Sequence, residues 1–127
     1  MKKILIVEDD AILLLTLADN LIQEGFDVIK AKDGEEGLAT ALCEHPDLIL
    51  LDILLPKMDG FTLLKKLRED KWGKHVPVII LTNLGSPASI SKALETIKGL
   101  EEHLVYLVKS DWKIKDIIAK VHERFNE

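Results

Sequence analysis

Short apolar runs alternate with amphipathic helical patterns five times along this chain. The runs, named β1 to β5 in chain order, are Lys3–Val7, Asp27–Ala31, Leu48–Leu51, Val78–Leu81 and Leu104–Val108. The middle runs are nearly continuous Leu, Ile and Val, as parallel strands buried on both faces require. The alternation predicts an α/β fold in which helices cover both faces of a parallel sheet.

The segments after the runs carry apolar residues at helical spacing and are predicted helices, α1 to α5. Three of them cover about residues 10–24 (α1), 60–70 (α3) and 87–98 (α4). The helix α2 starts at Asp33 and Gly34 and ends before Pro46, and α5 carries an apolar stripe of Ile114, Ile117, Ile118, Val121 and Phe125. We expect Gly25 to end α1, and Ser110 or Asp111 to cap α5. The single Cys43 falls on the apolar side of α2, so we expect it to be buried rather than redox-active.

Composition limits the class of protein. A chain of 127 residues with 47% hydrophobic and 31% charged residues fits one folded domain, 1–127, with no output domain. No apolar run is long enough to span a membrane and the start does not resemble a signal peptide, so we expect a cytoplasmic location and no membrane partner. A net charge of −5 without a basic stripe argues against direct nucleic-acid binding.

Polar side chains follow four of the five predicted strands. Glu8 and Asp9 follow β1, Asp52 follows β3, Thr82 follows β4 and Lys109 follows β5. Because the carboxyl ends of parallel strands meet at one edge of a sheet, we expect these side chains to share a crevice. Taken alone, each has a simpler interpretation: a turn cap for Asp52, a strand residue for Thr82 and a surface lysine for Lys109.

Together these residues have the parts of a cation site beside a carboxylate nucleophile. Crowded carboxylates repel one another unless a cation lies among them. Mg²⁺, or alternatively Mn²⁺, suits such oxygen ligands. Asp10, the next acidic residue, is expected to serve the start of α1 instead.

Four sequence blocks contain the candidate residues: ILIVEDD, LLDILLPKMDG, IILT and YLVKS. They resemble the signature blocks of response-regulator receiver domains of two-component signalling, and the resemblance covers essentially the whole chain. It implies a flavodoxin-like, doubly wound (βα)5 fold with a five-stranded parallel sheet in the order 2-1-3-4-5.

The resemblance also implies residue roles. Asp52 would be the phospho-acceptor, and the Mg²⁺ ligands would be Glu8, Asp9, Asp52 and the backbone carbonyl of Leu54. Three further residues would contact the phosphoryl group or switch with it: the hydroxyl of Thr82, the amine of Lys109 and the aromatic Tyr106. Asp52, Lys109 and Thr82 would carry the chemistry.

The implied function is a phosphorelay switch rather than an enzyme with its own substrate. A sensor histidine kinase or a phosphotransfer protein would supply the phosphoryl group. The α4-β5-α5 surface would then change, and it would bind a downstream protein or form a homodimer. The domain would catalyse at most its own phosphorylation and dephosphorylation.

Some positions depart from the family pattern. Ser110 stands where the family commonly has proline, and Asn83 where it commonly has a small residue. These departures favour the alternative of a degenerate receiver that acts as a phosphate-independent interaction module.

Leu54 and Leu84 replace polar residues that orient the hydrolytic water in some relatives, so we expect a long-lived phosphoryl group. Two other classes of protein are disfavoured. Many hydrolases that form an aspartyl-phosphate carry a second Asp two residues after the nucleophile, but here that position is Leu54. A flavodoxin-type carrier of FMN is disfavoured because the acidic residues after β1 would repel the FMN phosphate.

Overall fold

The computed structural model describes residues 1–53, 55–82, 104–108 and 113–126, with the side chains of 82 and 104–108 left out. Five parallel strands form one sheet in the order β2-β1-β3-β4-β5. Their bounds are Lys3–Val7, Asp27–Ala31, Leu48–Asp52, Val78–Thr82 and Leu104–Val108. The predicted strands and sheet order are confirmed. Relative to the prediction, β3 and β4 are each one residue longer and include Asp52 and Thr82.

Four helices are described: α1 is Ala11–Gln23, α2 is Gly34–Glu44, α3 is Gly60–Glu69 and α5 is Ile114–Phe125. The bounds of α1 and α3 agree with their predicted positions to within one residue, α2 begins at Gly34 and ends before Pro46 as predicted, and α5 contains the whole predicted apolar stripe. The predicted α4, about residues 87–98, lies outside the described residues. No helix in the described ranges has the length and apolar character needed to cross a bilayer.

Alternating side chains of the central strands build two separate cores, one on each face of the sheet. Leu5 and Val7 of β1 pack with side chains from α2 and α3. Ile4 and Ile6 of the same strand pack on the other face with side chains from α1 and α5. Both faces of the central strands are therefore buried, which explains why their sequences are apolar at consecutive positions.

Gly25 ends α1 as expected, and it does so through backbone geometry. Its φ angle is +93°, in the region that favours glycine. The amide of Gly25 donates to Ile22 O at 3.0 Å, and the amide of Phe26 donates to Leu21 O at 3.1 Å. This is the hydrogen-bond pattern of a Schellman motif.

Two expectations about the helices are wrong. The N-cap of α5 is Lys113, not Ser110 or Asp111. The carboxylate of Asp116, inside the first turn, accepts the Lys113 amide at 3.0 Å, which is the half of a capping box that an N3 side chain supplies. Cys43 is exposed rather than buried.

The exposure of Cys43 follows from which face α2 presents to the sheet. The buried positions of α2 are Gly34, Gly37 and Ala41. A Cβ at Gly37 would lie 2.8 Å from a methyl carbon of Val7, so the helix approaches the sheet over its glycines. Cys43 lies off this stripe of small residues.

Replacing Gly25 tests the end of α1 without any steric complication, because a Cβ there would meet nothing within 4 Å. We expect Gly25→Ala to lower the free energy of unfolding by about 1 kcal/mol, since alanine disfavours positive φ. Gly25→Asn should cost less, because asparagine tolerates the left-handed region. Urea unfolding measures both variants, and an alanine variant as stable as the wild type would contradict the assignment.

Candidate functional site

The candidate site lies where the strand order reverses beside β1. In this sheet β1 pairs with both β2 and β3, and Val7 is in register with Leu51. The next residues along the two strands are Glu8 and Asp52, which therefore leave the carboxyl edge of the sheet side by side. Ligands of open α/β sheets bind at this kind of position.

Three carboxylates come together at this edge. One oxygen from each of Glu8, Asp9 and Asp52 lies within 4.8 Å of the others. Glu8 is 2% exposed and Asp52 is 5% exposed, whereas Asp9 is exposed. The cluster thus combines two buried carboxylates with one that faces solvent.

Local hydrogen bonds fix the path of the chain after β1. The Glu8 amide donates to Ala31 O at 3.0 Å, which continues the pairing with β2 past the end of the strand. Asp10 then caps α1, because its carboxylate accepts the amides of Ile12 and Leu13 at 3.0 and 3.2 Å. Asp10 therefore serves the helix start, as expected, and the adjacent Glu8 and Asp9 form the cluster.

On the β3 side, α3 begins against the backbone of the acceptor candidate. The Gly60 amide donates to Ile53 O at 2.8 Å. A Cβ at Gly60 would lie 2.5 Å from Asp52 O and 2.7 Å from Ile53 Cα, so only glycine allows this approach. The main chain of Asp52 is consequently packed against the first residue of a helix.

The remaining predicted site residues are described only in part. Asp52 pairs with Leu81, so the backbone of Thr82 extends one residue beyond it on the neighbouring strand. Thr82 pairs in turn with Val108, and Tyr106 pairs with Ile80. Leu54 and Lys109 lie outside the described residues, as do Asn83, Leu84 and Ser110.

The donor set fits a hard divalent cation. Carboxylate oxygens are preferred ligands of Mg²⁺, which keeps several waters and so suits a site that is open on one side. A cation would also offset the mutual repulsion of three carboxylates held this close together. The residues present therefore fit Mg²⁺.

The comparisons with known proteins agree with this geometry. The family model described as the response regulator receiver domain matches residues 4–121. The chain therefore belongs to the receiver domains of two-component response regulators, which are phospho-acceptor signalling domains. Receiver domains bind Mg²⁺ at an acidic pocket, and the structure of this chain has a cluster of acidic residues in Glu8, Asp9 and Asp52.

Individual relatives cover the chain to different extents. The chain is 36% identical over 121 residues to the DNA-binding dual master transcriptional regulator RpaA of Synechocystis, a match that covers 95% of this chain and 48% of RpaA. It is 48% identical over 81 residues to the transcriptional regulatory protein PhoP of Bacillus subtilis, covering 64% of this chain and 33% of PhoP. The chain thus spans about half or less of the length of these curated relatives.

A solved structure matches over nearly the full length. The chemotaxis response regulator CheY4 of Vibrio cholerae superposes with a TM-score of 0.85 at 27% identity, covering 98% of each chain. The predicted receiver fold is confirmed by this likeness together with the sheet order.

Sequence reasoning missed the contacts that hold the segment after Asp52. The first turn of α2, at Asp33 and Gly34, packs against residues 56–58 of that segment. The sequence signals at Asp33 and Gly34 indicate only the start of a helix. A contact between residues more than 20 positions apart leaves no local pattern.

Two neighbouring aspartates provide a matched test of the cluster. At a Mg²⁺ concentration tenfold above its dissociation constant, binding should raise the free energy of unfolding of the wild type by about 1.4 kcal/mol. We expect Asp9→Asn to lose most of this gain. Asp10→Asn removes the same charge one residue away but keeps a good capping side chain, so it should retain the gain.

Thermal or urea unfolding with Mg²⁺ and with EDTA measures this difference. Equal Mg²⁺ responses in the two variants would indicate a nonspecific charge effect and would contradict ligation by the cluster.

Proposed function

We propose that this domain is a phosphorylation switch in which Asp52 accepts a phosphoryl group from a phosphohistidine of a sensor kinase or phosphotransfer protein. The observation that carries the proposal is the convergence of Glu8, Asp9 and Asp52, two of them buried, at the carboxyl edge of the sheet. Charged carboxylates whose oxygens lie within 4.8 Å of one another repel, and a bound cation would offset that repulsion.

The chemistry is a transfer between two nucleophiles. A carboxylate oxygen of Asp52 forms a bond to phosphorus while the bond from phosphorus to the histidine nitrogen breaks, and the imidazole leaves with the electron pair. Such transfers need mainly positioning and charge neutralisation. Mg²⁺, held by Glu8, Asp9, Asp52 and the backbone carbonyl of Leu54, would supply part of that neutralisation when bound.

Lys109 and Thr82 complete the proposed set. The Lys109 ammonium would pair with a phosphoryl oxygen, and the Thr82 hydroxyl would donate a hydrogen bond to another. The register supports this role for Thr82, because its backbone lies one residue beyond the partner of Asp52. Lys109 follows Val108, which ends its strand opposite Thr82.

Signalling would follow from the new charge and acceptor oxygens on Asp52. Thr82 would be drawn toward the phosphoryl group, Tyr106 would change position, and the α4-β5-α5 surface would change its affinity for a downstream protein or a second copy. Moving the domain from mostly inactive to mostly active requires about 5.5 kcal/mol of differential stabilisation. The domain would turn over no substrate other than its own phosphoryl donor and aspartyl-phosphate.

Phosphorylation by a small donor tests the acceptor directly. After incubation with acetyl phosphate and Mg²⁺, intact-mass spectrometry should show one phosphoryl adduct on the wild type and none on Asp52→Asn. Asp47→Asn, an exposed position just before the other end of β3, is the matched control and should be modified like the wild type. EDTA should abolish the adduct.

The absence of an adduct on a folded wild type would overturn the proposal. It would favour the alternative of a phosphate-independent interaction module.

The lifetime of the adduct tests the role of Leu54. An apolar side chain two residues after the acceptor cannot orient a water by hydrogen bonding, so we expect slow loss of the phosphoryl group. Leu54→Asn should shorten the half-life by about tenfold, which is less than the roughly 100-fold lower end for a group that transfers a proton, because an amide would only orient the water. Mass spectra at successive times measure the decay, and rapid decay of the wild-type adduct would contradict the expectation.

A further inference from the structure

The first turn of α2 contacts the segment that follows Asp52, at residues 56–58. The amide of Gly34 donates to Pro56 O at 3.3 Å. The carboxylate of Asp33, whose side chain is 16% exposed, lies 3.7 Å from the ammonium of Lys57. The helix start thus contacts this segment through both a backbone hydrogen bond and an ion pair.

Gly34 makes the tightest of these contacts. A Cβ there would lie 1.9 Å from Met58 O and 2.7 Å from Met58 C. These are backbone atoms, which cannot move aside by rotation as a side chain does. Gly34 has no positive φ, so glycine is required at this position by space and not by backbone conformation.

The segment also needs outside support. Its own hydrogen bonds are short-range: the amides of Leu55 and Gly60 donate to Ile53 O at 3.1 and 2.8 Å, and the Met58 amide donates to Pro56 O at 2.7 Å. Lys57 has a φ of +67°, which costs a non-glycine residue about 1–2 kcal/mol. Surrounding packing must offset a backbone conformation of this kind.

We propose that Gly34, with Asp33, is a positioning residue for the metal-binding segment. The inference rests on the proposed function, because that function assigns a Mg²⁺ ligand to the carbonyl of residue 54, between Asp52 and the contacted residues 56–58. Mg²⁺ demands nearly ideal octahedral geometry, so a small displacement of one ligand weakens binding. The start of α2 therefore sets the affinity of the site without contacting the ion.

Two glycines of the same helix provide matched variants. Gly34→Ala would press against the backbone of the segment. Gly37→Ala would press against side-chain carbons of Val7 and Leu63 in the core, one turn further along. Both variants should lower the free energy of unfolding, and only the first should displace the segment.

Isothermal titration calorimetry with Mg²⁺ separates the two effects. We expect Gly34→Ala to bind Mg²⁺ about tenfold more weakly than the wild type, the lower end of what outer partners of a metal site contribute. Gly37→Ala should weaken Mg²⁺ binding clearly less than Gly34→Ala, because its added methyl meets side-chain carbons of Val7 and Leu63 and not the backbone of the segment. Equal affinities in the two variants would overturn the proposal.

Amide hydrogen exchange at Met58 and Gly60 gives a readout that does not depend on the ion. Faster exchange at both amides is expected in Gly34→Ala and not in Gly37→Ala. If the wild type binds no Mg²⁺, the metal role in the proposed function fails, whereas the positioning of the segment is still judged by exchange. Unchanged exchange in a folded Gly34→Ala would overturn it.

A milder variant covers the case in which Gly34→Ala does not fold. Asp33→Asn keeps a capping side chain and removes only the charge opposite Lys57. It should change Mg²⁺ affinity and amide exchange in the same directions by smaller amounts, and the absence of both changes would count against the proposal.

Discussion

The parallel pairing of β1 with β3 is the constraint on which the rest of the structure depends. It aligns Val7 with Leu51 and so brings Glu8 beside Asp52 as the two strands end. Both strands are buried on their two faces, which fixes their register through continuous apolar contacts. The carboxylates therefore meet because of apolar packing several residues away, and their own mutual repulsion is overcome by that packing.

The electrostatic cost of the cluster is reduced by the elements around it. Asp9 is exposed, so solvent screens part of its charge. The cluster also lies just before α1, and the positive end of a helix dipole favours negative charge near its first turn. The carboxylate of Asp10 accepts the first amides of that helix, and one carboxylate oxygen of Glu8 accepts the Asp10 amide at 3.2 Å. A bound cation would offset the repulsion among the carboxylates that remains.

Local signals explain most of what could be predicted from the sequence. Each of these signals acts over a few residues, and the structure confirms the elements they predict: the strands, the end of α1 at Gly25 and the start of α2 after Asp33. The prediction that Cys43 is buried is wrong because it rests on the positions of apolar side chains in α2. The helix instead buries Gly34 and Gly37, which have no side chain to give a hydrophobic pattern. The carboxylate cluster was predictable because strand order converts local strand ends into neighbours. The contact between Gly34 and Met58 was not, since it depends on how closely a helix approaches a loop.

The same glycine contacts distinguish the two faces of the sheet. On one face, α2 and α3 each begin with a glycine that lies close to backbone at Asp52 or in the segment after it: Gly34 at Met58, and Gly60 at Asp52. On the other face, α1 and α5 pack through larger apolar side chains. A contact between backbones has no rotamers to change, so it holds one geometry, whereas packed side chains have alternative arrangements. A phosphorylation switch needs a constant geometry around the modified side chain and an adaptable geometry at the surface that binds its downstream partner. In the proposed switch, the glycines that begin α2 and α3 would provide the constant geometry, and conformational change would fall to elements that do not touch the segment after Asp52.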